Sequence, residues 1–254
     1  MRKFILLTDM KDVAVSETIL RSVPNSVNNV TIVPVFVDTF DILHGAFLLR
    51  LLADSFEPND VVSIVCDPRF TDVPRDSIGI ELKNGVTIFG PNNGVMSWLI
   101  QDFEVKSAIK LPISEESRLH PTFNGKYRFA VAVNKCLQGD SFETIGDKFD
   151  KDEIYLSKIA DGTVVHVDNY GNVKIKLPAL HLKRGSNVSI KLRDKVYSLR
   201  YGYEFFDVEE GDPILYTGSS LWGLPELAIN RGNFATMYGV KVGDLVTIIG
   251  NNSK

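Results

Sequence analysis

Three aspartates, Asp9, Asp38 and Asp67, each close a short apolar run: FILLTD, TIVPVFVD and SIVCD. The runs have the β-branched texture of strands, so the carboxylates fall at strand carboxyl ends, where doubly wound sheets bind ligands. One such Asp is equally well explained as a turn or a helix cap; three together point to a shared crevice. Carboxylates there suit a ribose diol, which offers two hydroxyl donors, or a cation held away from water. A sulfonium nucleoside meets both demands. A second constellation, VDNYGN, sets Asp168, Tyr170 and Asn172 around Gly171. An Asn amide can hydrogen-bond a purine edge while a Tyr ring stacks on it. The same residues also make an ordinary hairpin in which Gly supplies left-handed backbone.

Other chemistries find no support. No GxGxxG follows the first strand and no GxxxxGK[ST] occurs, so the usual phosphate cradles are missing. His44, His120, His166 and His181 show no metal-ligand spacing, and Cys66 and Cys136 form no CxxC pair, so neither a metal nor a cofactor is expected and the thiols read as small buried hydrophobes. A formal charge of −4 gives no general attraction to nucleic acid or anionic lipid. The opening MRKFILLTD has too short an apolar run for a signal peptide and is stopped by Asp9, so a soluble, cytoplasmic protein with no membrane partner is expected.

The elements that must position these residues divide in two. Up to Gly139, apolar runs (4–8, 30–37, 61–66, 78–82 and 86–89) alternate with helical spacing over 13–23, 42–56 and about 128–139. This predicts an α/β domain with a Rossmann-like, mostly parallel sheet over 1–139. The charged, poorly periodic stretch 140–160 reads as a linker. Residues 161–254 carry short strands and turn signals, predicting an all-β barrel or sandwich.

Ordered motifs then suggest a family. Thr8-Asp9, Val37-Asp38, GAFLL at 45–49, Phe56 with Pro58, Asp67-Pro68, GPNNG at 90–94, TFNG at 122–125, DNYGN at 168–172 and PELAINRGNFA at 225–235 occur in the order seen in the S-adenosyl-L-methionine hydroxide adenosyltransferases, a family that includes chlorinase and fluorinase relatives. The chain resembles that family along nearly its whole length. The resemblance implies a C-terminal β-barrel and a homotrimer with active sites between the first domain of one subunit and the second of its neighbour. It implies hydrolysis of S-adenosyl-L-methionine, as substrate or ligand, to adenosine and L-methionine. It places Asp9 on the ribose hydroxyls, Asn172 on the adenine with Tyr170 stacked beside it, and Asn233 where backbone approaches the base. Asp168, Glu226 and the Ser219–Ser220 turn would lie near the methionine end or the adenine, with Trp222 a further wall.

The same resemblance makes Asp67 and Arg75 two of three groups that order the attacking water, and its third position is Asn124 where the family has His. Lys126 and Tyr127 replace Arg and Asp, Asp41 stands for His, Asn92 stands for Asp, and the DPRFTDVPR loop is one residue longer. An Asn accepts no proton at neutral pH, whereas a His does. The diverged site therefore leaves two readings, a slowed hydrolase and a nucleoside-binding or sensing protein. His120, four residues before Asn124, is a remote substitute base.

Overall fold

The computed structural model describes residues 2–67 and 73–251. The chain divides into two compact units, 1–158 and 159–254. The first runs β1 (Arg2–Thr8), α1 (Val13–Ser22), β2 (Val30–Phe36), α2 (Ile42–Ala53), β3 (Val61–Val65), β4 (Ser77–Leu82), β5 (Thr87–Pro91), α3 (Ser97–Asp102), β6 (Val105–Lys110), α4 (Glu115–Leu119), α5 (Ala130–Gln138), α6 (Phe142–Ile145) and β7 (Asp147–Lys148). Its seven strands form one sheet in the order β2-β1-β3-β5-β4-β6-β7.

Period-two alternation in β1 builds the layers. Ile5 and Leu7 pack with Leu49 of α2 and Leu99 of α3. Phe4 and Leu6 point the other way, onto Val15 of α1 and Ala132, Val133 and Leu137 of α5. The sheet is thus covered on both faces, which removes its apolar rows from water. Helix starts are set by side chains: Asp12 accepts from the Ala14 N–H, and Asp41 from the His44 N–H. Gly139, at φ 99°, ends α5 in left-handed backbone, as a C-terminal Gly commonly does.

The mostly parallel expectation needs correction. β2, β1, β3 and β5 run parallel, but β4 is antiparallel to both β5 and β6, and β6 to β7. The sheet is mixed. The reason is the connection between β4 and β5, closed by the Leu82 N–H to Val86 O bond with Gly85 at φ 85°. So short a link cannot make the crossover of a dozen or more residues that parallel neighbours require. Of the stretch 140–160 read as a linker, residues 140–158 belong to this unit: β7 extends the sheet, and Phe142, Ile145, Phe149 and Ile154 are buried.

The second unit contains β8 (Val164–Val167), β9 (Val173–Ile175), β10 (Asn187–Leu192), β11 (Lys195–Gly202), β12 (Pro213–Thr217), β13 (Pro225–Ile229), α7 (Phe234–Tyr238) and β14 (Val246–Asn251). The strands form a curled half-barrel sheet in the order β14-β10-β11-β12-β13-β9-β8, with β11 and β12 its parallel pair. Alternate residues of these strands and Phe234 of α7 fill the interior. The two edges meet at one antiparallel bridge, Thr163 to Leu245. Among the described residues, no helix is long and apolar enough to cross a membrane.

Candidate active site

The carboxyl ends of β1, β3 and β5 open into a cavity of about 510 Å³. Asp9, Asp67, Arg75 and Asn124, four residues singled out from sequence, all line it. Asp9 is tied in at two points: its N–H donates to Val65 O at 3.1 Å, and its Oδ2 accepts from the Phe40 N–H at 3.0 Å. Phe40 holds φ 60°, an uncommon left-handed conformation for a bulky residue, and its N–H is the one bonded to Asp9. Burial raises the Asp9 pKa above the ordinary 3.8; the Phe40 N–H opposes this, and the nearby Asp67 carboxylate adds to it. A cation entering the cavity would offset that cost of ionising the half-buried carboxylate.

The end of β3 is fixed from the next strand. Asn93 Nδ2 donates to Cys66 O at 2.9 Å, while its Oδ1 accepts from the Val95 N–H at 3.2 Å. Burial pushes the Cys66 thiol well above its usual range, with Asp9, Asp41 and Asp67 reinforcing the effect, so this thiol stays protonated. Residues 68–72 of the DPRFTDVPR loop lie outside the described residues; Arg75, just beyond, is exposed on the cavity rim.

Asn124 precedes a π-helical turn, Gly125–Phe129, and its side chain makes no capping bond there. Such turns are frequent at functional sites. The turn sits close on β3: a Cβ at Gly125 would come 2.8 Å from Val65 Cγ1, so glycine permits the approach. Lys126 also lines the cavity and pairs with Glu17 at 2.9 Å. Tyr127 stacks on His120 at 4.7 Å between centroids, with the Arg21 guanidinium 4.9 Å from its ring. His120 is thereby engaged by Tyr127 and is not among the cavity-lining residues.

Three suspected residues serve the scaffold instead. Asp38 lies against His44, whose Nδ1 accepts its N–H at 3.2 Å and sits 3.2 Å from its Oδ2; it does not line the cavity. Burial lowers the His44 pKa despite that carboxylate. Asp41 caps α2. Asn92 donates to Glu153 O at 3.1 Å and accepts from the Tyr155 N–H at 2.7 Å, which consumes its amide in holding that segment. Sequence reasoning passed over Asn93, Phe40, Phe123 and Ser77, all of which line the cavity.

In the second unit Asp168 organises the hairpin. Its Oδ1 accepts from the N–H groups of Tyr170 and Asn172, and its Oδ2 from Asn172 Nδ2, all at 2.9 Å. A carboxylate only accepts, so it fixes which way the Asn172 amide points. Gly171, at φ 81°, accepts the Ala235 N–H at 3.0 Å. Asn233 lies against it and caps α7 through the Thr236 N–H at 2.7 Å. Asp168, Asn172 and Asn233 thus form one cluster, with Tyr170 70% exposed at its edge. Glu226 is buried on β13, opposite Lys174 of β9, accepting the Tyr216 hydroxyl at 2.5 Å and pairing with Lys174. Burial, then the Glu226 carboxylate, hold the Tyr216 hydroxyl protonated. Ser220 and Trp222 bound a short turn in which Leu221 and Trp222 have positive φ, and Trp222 is largely exposed.

Residues 4–146 match the SAM hydroxide adenosyltransferase N-terminal domain, and 162–247 match its C-terminal domain. The chain belongs to the SAM hydroxide adenosyltransferase family. Two proteins named (R)-S-adenosyl-L-methionine hydrolase are similar to it. The one from Methanocaldococcus jannaschii is 27% identical over 222 residues, covering 84% of this chain and 80% of the relative. The one from Thermus thermophilus is 27% identical over 223 residues, covering 82% and 83%. Two crystal structures share the fold at 22% identity. An uncharacterized conserved protein from Thermotoga maritima has a TM-score of 0.82, covering 96% of this chain and 99% of its own. A conserved hypothetical protein from Thermus thermophilus has a TM-score of 0.78, covering 98% and 100%.

Proposed function

We propose that this member of the SAM hydroxide adenosyltransferase family hydrolyses S-adenosyl-L-methionine to adenosine and L-methionine. The observation that carries the reading is the single cavity lined by Asp9, Asp67, Arg75 and Asn124. Asp9 accepts from the ribose hydroxyls and favours the sulfonium charge. Asp67 and Arg75 orient a water toward C5′; a C5′–O bond forms as the C5′–S bond breaks, and the electron pair stays on sulfur. Methionine departs as a neutral thioether, so the leaving side needs no acid. The water's proton has no base at Asn124 and passes to Asp67 or to solvent, which costs about 10²- to 10⁴-fold relative to a placed general base. Positioning and a fixed electrostatic environment supply what remains.

The Asn172 amide, oriented by Asp168, reads the adenine, and Tyr170 stacks on it. The assembly is a homotrimer in which the second unit of one subunit completes the cavity of its neighbour. Purified protein incubated with S-adenosyl-L-methionine should release adenosine and methionine in equal amounts, followed by chromatography. Release no faster than in buffer would sink the hydrolase reading. Asn124 specifically favours a second reading, a nucleoside-binding protein without turnover, for which calorimetry would detect tight binding and no product.

A further inference from the structure

The regular pairing of β3 stops short of Asp67, the residue it has to deliver. Its register with β1 runs out at the Thr8–Val65 pair and its register with β5 at Ser63–Phe89. Nor can the last residue of β5 help, because Pro91 has no N–H to give. The Cys66 carbonyl finds its donor in a side chain instead, Asn93 Nδ2 at 2.9 Å.

Asn93 is 2% exposed and its amide is held at both ends. Across Gly94, at φ 95°, its Oδ1 accepts the Val95 N–H at 3.2 Å, the local turn that Asn side chains favour. With the oxygen so engaged, the nitrogen is left to donate to Cys66 O. That carbonyl shares one planar peptide with the Asp67 nitrogen, so holding it fixes the plane from which the Asp67 side chain leaves. Asp67 itself is exposed, so burial does not confine it. Both residues line the cavity.

Resting on the proposed function, we infer that Asn93 is a positioning residue whose amide, through the Cys66 carbonyl, aims the Asp67 carboxylate at the attacking water. A rotation of that peptide carries the carboxylate out of line, and such misplacement lowers the rate more than the affinity. Asn92 supplies the control. It is 3% exposed and also makes two bonds, to Glu153 O and the Tyr155 N–H, but it is not among the cavity-lining residues.

The test follows adenosine release from S-adenosyl-L-methionine by wild type, N93S, N92S and D67N in the steady state, and by D67N and D67N/N93S with enzyme in excess. Circular dichroism gives the folded fraction of each. Serine keeps an oxygen for the Val95 N–H but is too short to reach Cys66 O. N93S should lose about tenfold in kcat, the size of one hydrogen bond, with KM changed by less than about twofold. N93T, nearer to Asn in volume and equally short, should behave alike and serves if N93S unfolds. N92S should keep kcat within about twofold of wild type, whatever stability it loses. On the D67N background, itself slowed, N93S should cost less than about twofold more, because a group that acts through Asp67 has nothing left to aim. The same tenfold loss in D67N/N93S, an equal loss in N92S, or a raised KM with unchanged kcat in N93S would overturn the assignment. So would wild-type rates in N93S or in D67N. Wild type releasing no adenosine would instead defeat the proposed function, and this inference with it.

Discussion

Replacing Gly171 by Ala tests the link between the hairpin and α7. At φ 81°, an L side chain is strained by about 1–2 kcal/mol. The new Cβ would overlap Asn233 Cγ and Oδ1, so Asn233 must move and give up its 2.7 Å bond to the Thr236 N–H. Loss of an N-cap costs about 1 kcal/mol, up to about 2. G171A should therefore cost about 2–4 kcal/mol. At about 2–4 °C per kcal/mol for a protein of this size, Tm falls by roughly 5–15 °C. Calorimetry of G171A, N233A and the double variant separates the two contributions. In the N233A background the clash is gone and only backbone strain remains, so the double variant should melt above the sum of the single losses by about 1–2 kcal/mol of coupling. A G171A protein melting within about 2 °C of wild type, about 1 kcal/mol at most, or strictly additive losses, would refute the argument.

Asn124→His should raise adenosine formation, by about 10²- to 10⁴-fold if a base is all that is missing; steady-state assay of the variant showing an equal or lower rate would mean that the turn around residue 124 is unsuited to base catalysis. Asp9, with its pKa raised by burial, resists ionisation in the folded protein. The resulting cost is absent below pH 3.8 and is borne in full above the raised pKa. D9N should thus melt no lower than wild type at pH 7, with the gap closing on acidification. A cationic ligand has the opposite preference, so wild-type affinity for S-adenosyl-L-methionine should increase as pH rises through the same window while that of D9N stays flat in titrations. Glu226→Ala strands Lys174 and Tyr216 in a buried environment and should destabilise the protein by about 3–5 kcal/mol in urea unfolding; a loss below about 1 kcal/mol would show that the Lys174 charge finds solvent.

Much of this was readable from the chain because local signals and tertiary packing agree. The apolar runs before Asp9 and Asp67 did become neighbouring parallel strands, and Gly139 did close a helix. The Asn84-Gly85 pair was there to be read as a two-residue hairpin signal; read as one, it would have predicted the antiparallel half of the sheet. Asp38 and Asp41 show the limit of type and spacing: Asp38 follows a strand much as Asp9 does but lies against the buried His44, and Asp41 caps the start of α2. Asn92 and Asn93 are adjacent and chemically identical, and only the direction of each side chain decides that one holds residues 153–155 while the other faces the cavity. Nothing in PELAIN announces that Lys174 and Tyr216 arrive from other strands to bond Glu226. Ser77 carried no signal, since nothing in the sequence shows that an ordinary serine lines the cavity.

The bridge between Thr163 and Leu245 has a consequence for biosynthesis. The opening and closing segments of the second unit lie side by side, and Val246 N–H bonds back to Gly162 O at 2.8 Å. This seam cannot zip while the ribosome still holds residues 245 and 246, so the unit stays unfinished until translation has passed them. Contacts of such long sequence separation form slowly. During that interval the unpaired flanks of β8 and β14 are open to stray strands from neighbouring nascent chains, a hazard that closing the seam removes.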